Sequence, residues 1–120
     1  MIEIDLPANK MPLDEMKQKL ATVFPKYDIQ KAYIYGSYVN GGFDFSSDYD
    51  FLIDGKIGDQ EPFIGNQNVV RQLKRELSEA LDRTIDITEM SIIEQPSHTE
   101  SSRKFKANVM KDKVLVYEQQ

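Results

Sequence analysis

The sequence predicts an α/β fold, a small β-sheet covered by helices, and three observations carry that expectation. Short runs rich in β-favouring residues alternate with segments whose apolar residues recur at helical spacing. Turn-forming Gly, Asn, Asp and Ser gather in the connections between them. The length, 120 residues of which 40% are hydrophobic, suits one compact domain with one core, here residues 1–120.

The elements follow in order. Pro12 suits a first helical position, and Leu13, Met16, Leu20 and Val23 then keep helical spacing until Pro25 ends the pattern. "QKAYIYG" reads as a strand running into a sharp turn at Gly36. Residues 37–47 form a loop that can open with one helical turn, and "DYDFLID" is the second strand. After the connection "GKIGDQEPFIGN", Asn66 or Asn68 can cap a helix whose apolar stripe is Val69, Val70, Leu73, Leu77 and Leu81. "TIDIT" is a third strand. Phe105 and Val109 mark a short amphipathic helix near 99–110, and "VLVYE" closes the chain as a strand. The order and polarity of the strands are not written in this pattern.

Composition narrows the function classes. Twenty acidic against fifteen basic residues give a net charge of -5, which disfavours nucleic acid as a partner because such binding needs a basic surface. Zero cysteines exclude thiolate metal sites and thiol nucleophiles, leaving oxygen ligands and His98. "MIEIDLPANK" alternates apolar and acidic residues instead of showing a basic region before an apolar stretch, and no apolar run approaches the roughly 20 residues of a membrane span. The expectation is a cytoplasmic protein.

The chemistry concentrates in "YIYGSYVNGGFDFSSDYDFLID", residues 33–54. Positions i and i+2 of a strand share a face, so Asp48 and Asp50 present two carboxylates side by side. Like charges held together raise each other's pKa unless a cation lies between them, and an all-oxygen donor set suits Mg²⁺ with a substrate phosphate. Gly36, without a Cβ, lets backbone N–H groups approach a ligand, and Ser37 opening a helical turn makes an anion site. Asp86, between Ile85 and Ile87, shares a polar strand face with Thr84 and Thr88. If that face meets Asp48 and Asp50, three carboxylates converge. Each of these features taken alone also fits ordinary turns and edge strands. Order and spacing together distinguish them.

A strand ending in Gly36-Ser37, a loop with Gly41 and Ser47, then "DYDFLI", resembles the minimal nucleotidyltransferase domain of the DNA polymerase beta superfamily. The likeness extends through a helix, a strand with one Asp and the terminal "VLVYE", and is greatest to the MNT antitoxins paired with HEPN toxins. It implies a small mixed β-sheet covered by helices. It also implies that Gly36, Ser37 and Ser47 hold the nucleotide and that Asp48, Asp50 and Asp86 are the catalytic, Mg²⁺-binding carboxylates. Asp86 would help deprotonate the attacking hydroxyl. The implied activity is Mg²⁺-dependent transfer of AMP from ATP to a hydroxyl of a protein partner, such as a tyrosine of a HEPN-type toxin.

Two departures stand out. Related domains often have basic residues after Gly-Ser, where this chain has Tyr38 and Asn40; Lys31, Lys56, Arg71 and Lys74 are the candidates to compensate. Phe43 and Phe45 either stack on the base, dock a partner, or pack beneath the loop. His98 is expected to be an exposed residue at a helix start, and the basic run "RKFKANVMKDK" a solvated helix face. Competing functions are an antitoxin that neutralises by contact alone and a nucleotidyltransferase acting on a small molecule such as an antibiotic.

Overall fold

In the computed structural model, residues 10–27, 29–43, 46–55 and 63–119 are described, the side chains of residues 63–68 excepted. The first helix, α1, spans Leu13–Val23, with Met16, Leu20 and Val23 buried at helical spacing. Pro12 is its N-cap residue instead of its first helical residue: ψ of 146° keeps it extended. Pro25 ends α1 as expected, and the chain tightens into a 3-10 turn over Phe24–Lys26, where a missing N–H costs nothing.

Four strands form one sheet: β1 (Ile29–Tyr35), β2 (Tyr49–Gly55), β3 (Ile85–Glu89) and β4 (Val114–Glu118), in the order β3-β2-β1-β4. β1 pairs antiparallel with both β2 and β4, while β2 and β3 are parallel, so the sheet is mixed. The parallel pair requires a long crossover, supplied by helix α3 (Phe63–Leu81). Asn66 and Asn68 lie inside α3 and neither caps it. The buried stripe Leu73, Leu77 and Leu81 drives the helix, and its start runs through Gly65 at a propensity cost of about 1 kcal/mol.

The two faces of the sheet differ. On one, Ala32, Ile34, Tyr49, Phe51, Ile53, Ile85 and Val116 join Met16 and Leu20 of α1 and Leu73 and Leu77 of α3 in the main core. On the other, Tyr35 and Leu52 pack with Met90, Ile93 and Val109. Met90 and Ile93 belong to α4 (Met90–Ile93), a single turn the sequence did not announce, and Val109 to α5 (Glu100–Asp112). Thr99 caps α5, its hydroxyl accepting from the Ser102 N–H at 3.0 Å, and His98 is exposed just before it, as expected of a helix start. Among the described residues no helix is long and apolar enough to cross a membrane.

Candidate active site

The site is built on the second face, where β1 ends and β2 begins. Tyr35 stands opposite Asp50 in the antiparallel β1/β2 pair, and Asp50 stands opposite Asp86 in the parallel β2/β3 pair. Residues opposite one another share a face, so the carboxylates of Asp50 and Asp86 rise from neighbouring strands about 4.8 Å apart. Asp48 precedes β2 by one residue, and the adjacent Tyr49 N–H is fixed by the Thr84 carbonyl at 3.0 Å. Asp50 is half-buried while Asp86 is exposed. Burial, reinforced by the charges of Asp86 and then Asp48, raises the Asp50 carboxyl to about 6. Asp50 thus feels the charges of both other carboxylates.

Gly36 explains how Asp50 is seated. Its φ of 77° and ψ of -147° belong to a region that only glycine enters easily, and a Cβ there would run into Asp50 Oδ2. The missing side chain is the space the carboxylate fills. Immediately after it, helix α2 (Ser37–Asn40) is one turn in which the Gly36 carbonyl accepts from the N–H groups of Val39 and Asn40 at 2.9 and 3.0 Å. The predicted helical turn at Ser37 is therefore present, directly beside Asp50.

Tyr38, where a basic residue was the comparison, points into the core. It is buried, its hydroxyl donates to the Met11 carbonyl at 2.6 Å, and its ring meets Phe43 and Tyr49 edge-on. Phe43 stacks on Tyr49 with ring centroids 5.6 Å apart, under the Arg83 guanidinium at 4.6 Å. Phe43 thus packs beneath the loop, one of the roles open to it, while Phe45 lies outside the described residues. The same Arg83 donates to the Ser47 carbonyl at 2.8 Å, fixing the loop just before Asp48. Sequence reasoning missed Arg83, whose signal was only its place one residue before "TIDIT".

Of the basic residues expected to compensate, those that are described lie away from the Gly36-Ser37 turn. Lys31 lies near the far end of β1, 3.9 Å from Glu118. Arg71 and Lys74 are exposed on α3, which covers the opposite face of the sheet, and Lys56 lies outside the described residues. A different cation reaches the turn: the Lys10 amine donates to the Tyr38 carbonyl at 2.9 Å, on α2 itself.

A second missed residue is Tyr35. Its hydroxyl shares a 2.9 Å hydrogen bond with Thr88 on β3, reaching across β2 over the face that bears Asp50 and Asp86. Burial pushes its phenol up, with Asp50 and Asp86 acting in the same direction against the Thr88 bond. The ring is buried with Leu52, Met90, Ile93 and Val109 on that face.

Carboxylate oxygens are the donor set for a hard divalent cation, and such a cation would relieve the repulsion that Asp86 and Asp48 exert on Asp50. The donor chemistry of Asp50 and Asp86 suits Mg²⁺, but among the described residues no group of three or more His, Cys, Asp or Glu side chains stands together as a site that could hold a metal ion.

Comparison with known proteins bears on the fold. The mutant toxin-antitoxin MntA-HpeT is similar at a TM-score of 0.58 and 18% identity, over 92% of this chain and 76% of that one. A toxin-antitoxin structure with AMP-PNP gives 0.58 and 19%, again over 92% and 76%. The tri-AMPylated Shewanella oneidensis HEPN toxin in complex with MNT antitoxin gives 0.56 and 17%, over 91% and 75%. At such identities the likeness is one of fold. No protein of curated function matches. The family model described as polymerase beta, nucleotidyltransferase, matches residues 18–120. With the match covering all but the first 17 residues, the chain belongs to the polymerase beta nucleotidyltransferase family.

Proposed function

We propose that this protein is a Mg²⁺-dependent nucleotidyltransferase that moves AMP from ATP to a hydroxyl of a protein partner, a tyrosine of a HEPN-type toxin, and so acts as its antitoxin. The observation that carries the reading is the parallel pairing of Asp50 with Asp86 on the face where Gly36 makes room for Asp50. The structurally similar toxin-antitoxin complexes, one with AMP-PNP and one holding a tri-AMPylated toxin, supply the substrate and partner classes. The working unit is residues 1–120 as one domain, acting in the cytoplasm.

Asp48, Asp50 and Asp86 would hold Mg²⁺, which when bound offsets the negative charge of the triphosphate and of the transition state. Gly36, Ser37 and Ser47 bind and orient the nucleotide phosphates at the start of α2. Asp86, the most exposed of the three carboxylates, accepts the proton of the acceptor hydroxyl. The acceptor oxygen forms its bond to the α-phosphorus as the bond to the β-phosphate bridging oxygen breaks, and pyrophosphate leaves. Tyr35 and Leu52 keep the floor of the site dry.

Mass spectrometry of a HEPN-type toxin incubated with Mg²⁺, ATP and either the wild type or Asp50→Asn tests the reading. AMP on a toxin tyrosine with the wild type only is the expected result. A toxin that is neutralised equally by both proteins and carries no AMP means inhibition by contact.

A further inference from the structure

The basic, amphipathic helix α5 is not used by the chemistry above, yet it is tied to both sides of the Gly36-Ser37 turn. Before the turn, the ring of Tyr35 meets that of Phe105 edge-on, centroids 6.4 Å apart and planes at 78°. After the turn, Asn40 at the end of α2 donates through Nδ2 to Asp112 Oδ2 at 3.0 Å. Phe105, Asn108 and Asp112 are spaced i, i+3, i+7, so they form one stripe along α5, and its two anchored ends bracket the turn. Asn108 is exposed between them, and 47% of Phe105 remains accessible although Val109 beside it is buried.

Resting on the nucleotidyltransferase reading, we propose that this stripe is the nucleobase platform of the site: Phe105 stacks on the adenine and the Asn108 amide reads its hydrogen-bonding edge. Three features favour that occupant. An aromatic ring left half-exposed beside a polar, charged site offers an apolar face to something planar, and a base is sequence-tolerant in stacking on it. An Asn amide matches the paired acceptor and donor that adenine presents at N7 and N6. The two side chains after Ser37 add no charge for the phosphates, because Tyr38 is committed to the core and Asn40 to Asp112, and Lys10 beside them is engaged with the Tyr38 carbonyl, so a hold on the base adds to the affinity for the nucleotide. Phe43, the aromatic among the described residues of the loop, is already covered by Tyr49 and Arg83.

The experiment is calorimetric titration of the full chain with Mg-ATP, Mg-GTP and Mg-tripolyphosphate, the last carrying the phosphates without a base. Phe105→Leu keeps an apolar side chain against Tyr35 and so preserves the fold. It should weaken Mg-ATP about tenfold and leave Mg-tripolyphosphate unchanged, and Asn108→Ala should narrow the preference for ATP over GTP. The platform is overturned alone if the wild type binds Mg-ATP and Phe105→Leu binds it equally well, or loses tripolyphosphate in equal measure. It is also overturned alone if the wild type binds ATP no better than tripolyphosphate. A wild type that binds neither overturns the platform and the nucleotidyltransferase reading together.

Discussion

At Asp50 a single side chain ties the stability of the fold to pH. Its carboxyl is raised to about 6 by burial and by Asp86 and Asp48, so the native state holds the proton more tightly than the unfolded chain does. The stability this confers is present in full below the unfolded value near 4 and is lost as pH rises to about 6. Above that, the ionised group weakens the metal-free fold. Asp50→Asn removes the charge with little change of shape, so at pH 7 it should unfold later than the wild type, by about 1–2 kcal/mol after discounting for solvent at a half-buried site. The difference should vanish near pH 4, and thermal melts at the two pH values check this. A neighbouring residue carries the opposite sign. Gly36→Ala places a Cβ against Asp50 at a backbone conformation alanine resists, and should cost about 1–3 kcal/mol as well as activity. The sequence showed Asp48 and Asp50 as a pair two residues apart, and Gly36 as a turn. It could not show that Gly36 is empty for the sake of Asp50, because that contact joins residues fourteen positions apart through strand register.

The elements that present these residues are held by contacts of unequal visibility. Helices α1 and α3 and strands β1, β2 and β4 were legible because Met16-Leu20-Val23 and Leu73-Leu77-Leu81 keep helical spacing and the strands are rich in β-favouring residues. Helix α4 was not, since four residues hold too little of any period, and its Met90 and Ile93 are buried by tertiary packing alone. The loop before β2 was visible as polar sequence, but its order comes from Arg83, which lies over Phe43 and Tyr49 and donates to the Ser47 carbonyl. Replacing Arg83 by Ala should cost about 1–2 kcal/mol of stability. It should also speed amide exchange around Phe43 and Ser47 while leaving β1 protected, measured by hydrogen-exchange mass spectrometry. At α5, Thr99→Ala removes the cap to Ser102 and should cost about 1 kcal/mol, read from the denaturant midpoint at unchanged slope.

For the whole molecule, the fact that composition and periodicity left open was strand order. The sheet order β3-β2-β1-β4 makes Asp86, thirty-six residues after Asp50, its nearest neighbour across β2 and β3. That pairing sets two carboxylates of a protein of net charge -5 side by side, with Asp48 adding its charge to Asp50, and on the proposed function a cation would relieve that repulsion. The consequence is an ordering of melting temperatures. Without ligand, Asp50→Asn should melt above the wild type. Mg²⁺ alone should raise the wild type and leave the variant nearly unmoved. With Mg²⁺ and ATP together at about 100 times the Kd, the wild type should gain ~2.7 kcal/mol, roughly ten degrees for a domain this size, and overtake the variant. Differential scanning fluorimetry over the four ligand conditions measures the whole series. A crossing of the two proteins between the ligand-free and Mg-ATP conditions ties the strain at Asp50 to the site's ligand. Parallel curves would show that the carboxylates repel one another without serving a cation.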